Sequence, residues 1–344
     1  MEADKKNLLN TSQDELENWM TGHGEQSYRG RQVMHWLYQK QASGLPEMTD
    51  LPAKLREKLA GHFYISLPSI INKSEAGDGA VKFLFGLEDQ QKIEAVLIPE
   101  PSQNENTLCI SVQAGCKYGC AFCATAQIGF KRDLTSGEIL GQYLAVMKNY
   151  PPDFRIHRLV IMGMGEALDN FEELKAAFAI FTSRQGLGLS PRRITISTAG
   201  IAPLIPEAWA LGANLAVSLN TSDNEKRNRL MPVNRKYPLS ALITALRKLD
   251  TSTRQKLTAE YVMLKSVNDS LQDADRLALL LSGIDIRINL IRFNPFTGCD
   301  FSPSDEPRVL AFQDRLKKAG FMTFIRKSKG TEILAACGQL AGRK

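Results

Sequence analysis

From Thr107 onward the chain repeats one unit, a short apolar run followed by an amphipathic stretch, and this repetition limits its fold more than any other feature. The runs TLCISVQ, RLVIMG, RITIST, NLAVSL, LTAEYVML and DIRINLIRF have the length and near-continuous hydrophobicity of strands buried on both faces. Helical periodicity follows near residues 135–149, 170–185, 203–211, 238–250, 270–282 and 306–319. Strand and helix in alternation predict an α/β fold with a parallel sheet, because each parallel return needs a crossover of helix length. An open doubly wound sheet and a barrel both satisfy the pattern. In either, ligands bind at the carboxyl ends of the strands. Those ends carry polar, glycine-rich groups here: GMGEALDN, STAG, SLNTSDN and NPFTG.

Residues 1–66 predict a small helical domain. Ser12 and Glu15 have capping-box spacing ahead of Leu16, Trp19 and Met20. In YRGRQVMHWLYQK, Val33, Trp36 and Leu37 share one face, with Arg29, Arg31 and Lys40 off it. Leu51, Leu55 and Leu59 repeat every four residues in the next helix. Residues 67–106 predict a turn-rich linker and a β-hairpin, 107–325 the α/β core, and 326–344 a tail. From Arg315 to Lys344 there are eight Lys and Arg against Glu332 alone, so this end is basic while the rest of the chain is nearly neutral. Such a stretch is either a solvated face or a contact for a polyanion.

The cysteines carry the chemistry. The opening residues lack the apolar core of a signal peptide and no run is long enough to span a membrane, which predicts a cytoplasmic protein. In a reducing compartment clustered thiols point to metal binding or catalysis rather than disulfides. Cys116, Cys120 and Cys123 are spaced C-x3-C-x2-C in a loop after a strand, and the nearest histidine in sequence is His157. Three thiolates suit three corners of an iron–sulfur cubane, leaving one iron open to a ligand, while a structural zinc site remains the alternative. Cys109 lies just ahead of this group and Cys337 in the distant tail, whereas Cys299 has no evident role.

GCKYGCAFCATAQIGFKRDLTSGEILGQ, MGMGEALDN, ISTAGI, NPFTG and AACGQLAG together resemble the RlmN/Cfr family of adenine methyltransferases within the radical S-adenosylmethionine (SAM) superfamily, over essentially the whole chain. The resemblance implies a partial (β/α)6 barrel with a helical N-terminal RNA-binding domain and a C-terminal tail bearing a catalytic cysteine. It implies a 4Fe-4S cluster on Cys116, Cys120 and Cys123, SAM as cofactor, and consumption of two SAM per turnover. Electron delivery, from a donor such as flavodoxin or ferredoxin, would cleave SAM to a 5′-deoxyadenosyl radical. Cys337 would take a methyl group from another SAM, and the radical would activate that methyl for addition to adenine. Glu94 would accept the ring proton, and Cys109 would attack Cys337 to release product and leave a disulfide. Gly165, Glu166, Ser197, Ser218, Leu219, Asn220 and Asn294 match SAM-contacting positions, with Glu166 placed to hold the methionine ammonium.

The implied substrate is 23S rRNA in naked or precursor form, with tRNA as a further candidate, and a chain of this architecture needs no partner subunit, so a monomer is expected. Ring position is less constrained. Ala167 in GEALDN and the IRFNP stretch are similar to the C8-methylating branch, and Asn220 stands where both branches usually have histidine. The N-terminal segment and NPFTG resemble the C2-methylating branch, which is the favoured reading.

Overall fold

Every apolar run expected as a strand enters one ten-stranded sheet in the computed structural model, which describes residues 5–342. The strands are β1 (Ser69–Glu75), β2 (Val81–Gly86), β3 (Lys92–Glu100), β4 (Glu105–Cys109), β5 (Arg158–Ile161), β6 (Ile194–Thr198), β7 (Asn214–Ser218), β8 (Leu257–Met263), β9 (Arg287–Arg292) and β10 (Thr323–Arg326). They lie side by side in chain order. β1 to β4 pair antiparallel, and β4 to β10 pair parallel. A doubly wound sheet reverses its strand order midway. This one never does, so right-handed crossovers put all the helices on one face and leave the other to line a curled, barrel-like lumen.

Three helices precede the sheet: α1 (Gln13–Gly22), α2 (Tyr28–Tyr38) and α3 (Ala53–His62). Ser12 and Glu15 close the capping box at the start of α1. Val33, Leu37, Leu51, Leu55 and Leu59 are buried together, while Arg31 and Lys40 are exposed. The module is tied to the barrel where the Gly137 amide donates to Asn10 Oδ1 at 2.7 Å and Gln39 Nε2 donates to the Arg184 carbonyl at 2.8 Å. Within the barrel run α4 (Ala124–Gln127), α5 (Ser136–Met147), α6 (Phe171–Thr182), α7 (Ile205–Ala210), α8 (Asn224–Leu230), α9 (Leu239–Arg247), α10 (Leu271–Leu281) and α11 (Glu306–Lys318). Among the described residues no helix is long and apolar enough to cross a membrane.

Three features differ from the sequence reading. The segment read as linker and hairpin is a three-stranded meander continuous with the main sheet, because β3 pairs with β4 from Val96–Cys109 to Glu100–Glu105. α8 interrupts what was read as a loop, with the Asp223 side chain capping it through the Lys226 amide. β10 adds a parallel strand beyond the six units and takes Arg326 out of the tail. Just after β10, Lys329 Nζ donates to the Pro99 carbonyl at 2.5 Å and the Gly330 amide to Asp78 Oδ2 at 2.8 Å. Asp78 lies in the β1–β2 turn and Pro99 on β3, so the tail runs from the β10 edge across to the antiparallel meander at the other end of the sheet.

Candidate active site

The three-cysteine loop is built by tight backbone contacts. Gly115 has φ 84°, and a Cβ there would fall 1.7 Å from the Gly129 carbonyl oxygen, so only glycine lets the two segments touch. The Ala121 amide donates to the Leu230 carbonyl at 2.9 Å. Burial pushes the Cys116 thiol up to about 12 and raises Cys120 well above the ordinary thiol range, with Cys123 and Cys116 adding to the shift at Cys120. Sulfurs this crowded and desolvated ionise only beside a strong cation. Among the described residues no three His, Cys, Asp or Glu side chains converge on a single-ion site. A cubane does not ask them to, since each thiolate binds a different iron. The donor set therefore fits a cluster, and the three residues would hold it.

Asp169 braces this loop, a role that sequence reasoning missed. It pairs with Lys117 at 2.7 Å and accepts from Tyr118 at 3.2 Å and from Gln113 Nε2 at 2.8 Å. Gln113 in turn accepts the Glu166 amide at 2.9 Å. The preceding Gly165 has φ 100°, and a Cβ there would lie 2.5 Å from the Gln113 Cβ. Glu166 is buried, with Oε1 accepting the Leu168 amide at 3.0 Å and Oε2 the Ala199 amide at 2.6 Å. Burial raises this carboxyl to about 6, while hydrogen bonds from the Thr198 side chain and the Ala199 and Leu168 amides pull the other way.

Ser197 and Ser218 stand half-buried at the carboxyl ends of β6 and β7, where cofactor contacts were expected. Leu219 and Asn220 are different. Leu219 is fully buried; its amide donates to the Glu260 carbonyl at 3.0 Å and its carbonyl accepts Arg227 Nε at 3.2 Å. Asn220 adopts φ 60°, a left-handed conformation that asparagine tolerates better than most residues. Its Oδ1 accepts the Val262 amide at 2.7 Å and its Nδ2 reaches Met231 Sδ at 3.1 Å. The Leu219 backbone and the Asn220 side chain thus fix this loop at the mouth of the barrel, where a cofactor contact was expected of both. Asn294 donates to the Cys337 carbonyl at 3.1 Å and so positions the tail.

The tail carries Cys337 into the barrel. Ala124 N donates to the Gly338 carbonyl at 2.7 Å, Thr125 Oγ1 to the Leu340 carbonyl at 2.7 Å, and Gln339 Nε2 to the Pro295 carbonyl at 2.8 Å. Glu94, legible in sequence only as a hairpin carboxylate, is buried on β3; it pairs with Lys82 at 3.1 Å and accepts the Ala341 amide at 2.8 Å. By strand alternation Glu94 and Val96 share a face, and Val96 is paired with Cys109, so Glu94 and Cys109 face the same lumen. Burial raises the Cys109 thiol, and the charge of Cys337 adds to it, which places the two sulfurs in one electrostatic neighbourhood. Solvent reaches Cys337, yet surrounding protein atoms still push its thiol up; Glu260 adds to the shift and Arg326 opposes it. All six cysteines are free thiols here, so the disulfide implied by the resemblance is not formed in this state. Cys299, left without a role, points weakly at the Ala121 carbonyl 3.6 Å away.

Comparison with known proteins fits this geometry. Residues 6–65 match the ribosomal RNA large subunit methyltransferase N-terminal domain, and residues 110–278 match the radical SAM superfamily. A dual-specificity RNA methyltransferase RlmN of Syntrophus aciditrophicus (strain SB) is 44% identical over 344 residues, covering 100% of this chain and 98% of its own. The chain belongs to the RlmN family. A second RlmN, from Geobacter sulfurreducens, is 45% identical and covers 96% of this chain and 90% of its own. The crystal structure of a radical SAM methyltransferase from Sphaerobacter thermophilus superposes with a TM-score of 0.92 at 36% identity, covering 98% of this chain and 100% of that one. RlmN-family membership makes this a radical SAM RNA methyltransferase that uses a 4Fe-4S cluster and SAM, and it favours the RlmN branch over the Cfr branch.

One further group in this RlmN-family site was not anticipated. Arg227, on α8, is fully buried and reaches the carbonyls of Ala199 at 2.6 Å, Ser218 at 2.9 Å and Leu219 at 3.2 Å, and Asn234 Oδ1 at 2.8 Å. It clamps the ends of β6 and β7 together.

Proposed function

We propose that this protein methylates C2 of an adenine in 23S rRNA, carrying the methyl group on Cys337 and resolving the adduct with Cys109. The relatives' description as dual-specificity enzymes supports tRNA as a second substrate. The observation that carries the reading is the docked tail, which brings Cys337 beside Cys109 and the three-cysteine loop. Bound together, the cluster and SAM supply reductive cleavage of a sulfonium and a radical able to activate a methyl group. The chain's own groups do the rest. Cys116, Cys120 and Cys123 hold the cluster, Glu166 receives the methionine ammonium, and Gly165, Ser197 and Ser218 line the cofactor face.

Glu94 takes the ring proton. Cys109 then attacks Cys337 Sγ, forming the S–S bond as the bond from sulfur to the transferred carbon breaks; that carbon keeps the electron pair and takes up a proton to become the methyl group. Target adenines must be unpaired or extruded, since a tethered carbon cannot reach a stacked ring. RNA entry follows the N-terminal helices and the basic end of the chain, on naked or precursor rRNA. We assign electron delivery to a flavodoxin or ferredoxin, the working state to a monomer, and the location to the cytoplasm.

Mass spectrometry of 23S RNA digested after reaction with SAM and reductant tests this. We expect 2-methyladenosine from the wild type, and neither product nor deoxyadenosine from Cys116→Ala, Cys120→Ala or Cys123→Ala. Recovery of 8-methyladenosine instead would overturn the ring position.

A further inference from the structure

At the end of the barrel opposite Cys337, the amino-terminal mouth carries a ring of cations that the reaction does not use. Strand pairing places Asn214 opposite Thr195 and, one step beyond the Leu215–Leu257 pair, opposite Lys256; Arg287 pairs with Thr258. Counting back by twos from Cys109's partner Val160 puts Arg158 on the inner face. The same parity puts Lys256 on the face of Glu260, and Arg287 on the face of Asn289. These side chains therefore share the lumen face with the catalytic groups but sit at the amino ends of the strands. Arg193 joins them, since Glu105 bonds both Arg158 and Arg193.

The charge there is unbalanced. Glu105 is engaged by two arginines, and among the described residues no carboxylate pairs with Arg192, Arg254, Lys256 or Arg287. Burial pulls the Lys256 ammonium below its ordinary value, and Arg287, Arg158 and Arg193 add to the shift by repulsion. Arg192, Arg193, Arg254 and Lys256 are exposed to solvent and, with Asn214 and Ser190, line one open pocket of about 270 Å³. Planar guanidinium forks, an amide and a hydroxyl around one opening match the oxygens of phosphate groups.

We propose that this ring at the amino-terminal mouth of the barrel is a binding site for phosphate groups, engaged by the backbone of a long RNA substrate. The source rests on the RNA methyltransferase reading above. An RNA threaded to Cys337 at one mouth reaches the other only if it passes around the barrel wall. The ring is therefore a contact that a large folded RNA makes and a short hairpin does not.

The test uses the full-length, cluster-loaded protein and measures binding by fluorescence anisotropy against salt. One RNA is a long 23S fragment and the other a short hairpin bearing the target adenine. Lys256→Ala and Arg254→Ala should each lower the slope of log affinity on log salt by about one for the long fragment and leave the hairpin slope at the wild-type value. Lys175→Ala, which removes the same charge from an exposed helix, should change neither. Calorimetry with inorganic pyrophosphate forms a separate arm. Pyrophosphate binding that Lys256→Ala abolishes, with unchanged RNA slopes, would make this a free-phosphate site and overturn the RNA assignment. Slower reduction by an acidic flavoprotein, again with unchanged slopes, would reassign the ring to the electron donor. Unchanged slopes with no pyrophosphate binding would overturn the site altogether. Methylation of the hairpin by wild-type protein is scored independently, so failure of the methyltransferase reading stays distinguishable from failure of the ring.

Discussion

Glu94 Oε2 accepts the backbone amide of Ala341 at 2.8 Å, four residues beyond Cys337. The carboxylate proposed as proton acceptor is therefore also an anchor of the segment that carries Cys337. Glu94→Gln keeps an oxygen for that amide but removes the basicity. Single-turnover methylation should fall by about 10²–10⁴-fold, the range for loss of a general base, while residues 330–342 stay protected from proteolysis. Glu94→Ala should lose both rate and protection. Near-normal turnover by Glu94→Gln would leave only the anchoring role.

Glu166 sets a pH dependence. Its carboxyl is raised to about 6, chiefly by burial, and only the ionised form pairs with an ammonium. SAM affinity of the cluster-loaded protein should therefore rise between pH 5 and pH 7, falling roughly tenfold per unit on the acid side. Stability of the SAM-free protein runs the opposite way. The folded-state value lies above the 4.5 of the unfolded chain, so the group's stabilising contribution is complete below pH 4.5 and is lost as pH climbs through about 6. That loss amounts to about 2 kcal/mol. Titration calorimetry and thermal melts read the two trends, and Glu166→Gln should flatten both. Affinity that declines toward pH 7 would contradict the assignment.

The barrel was legible because each core strand keeps an apolar, buried row, such as Ile194 and Ile196 on β6 or Leu257, Ala259 and Tyr261 on β8, while the alternate residues face the lumen and carry its polar groups. β10 was not: its four residues, with Phe324 and Arg326 exposed at a sheet edge, lack a buried apolar run, and in sequence Arg326 reads as the start of a basic tail. That tail is also less basic in three dimensions than in sequence, because Arg315 pairs with Asp275, Lys318 with Asp314 and Lys329 with Glu100. Cysteine spacing singled out the candidate cluster ligands directly, since residues close in sequence need no tertiary fold to be grouped. Arg227 is the contrary case. NEKRNRL has the composition of a solvated helix, and only the approach of three carbonyls from β6 and β7 turns one of its arginines inward.

Arg227 should accordingly behave as a positioning residue. Burial lowers its guanidinium to about 10, so it remains charged at neutral pH while holding the carbonyls of Ala199, Ser218 and Leu219. Arg227→Met leaves those acceptors without a donor in a closed site. A loss of about 3 kcal/mol or more in unfolding free energy is expected, together with weaker SAM binding. Arg227→Lys offers fewer donors in the wrong geometry and should recover only part of either. Chemical denaturation measures the first and calorimetry the second. A Met variant as stable as wild type would mean that the clamp contributes nothing.

Cys109 and Cys337 should fail differently when removed, because the proposed mechanism has one resolve the adduct and the other carry the methyl group. Cys337→Ala has no sulfur to methylate, so it should give neither methylated RNA nor a covalent protein–RNA species. Cys109→Ala should still take methyl at Cys337 and still join it to adenine. It should then stall, since no other thiolate stands beside that sulfur: Cys116, Cys120 and Cys123 are committed to the cluster, and Cys299 faces the Ala121 carbonyl. The product is RNA linked to protein through Cys337, visible as a shifted band on a denaturing gel. If instead the two are simply buried thiols, each alanine variant costs stability alone and neither traps RNA. Normal turnover by Cys109→Ala would remove the resolving role, and with it the reason for the tail to dock where it does.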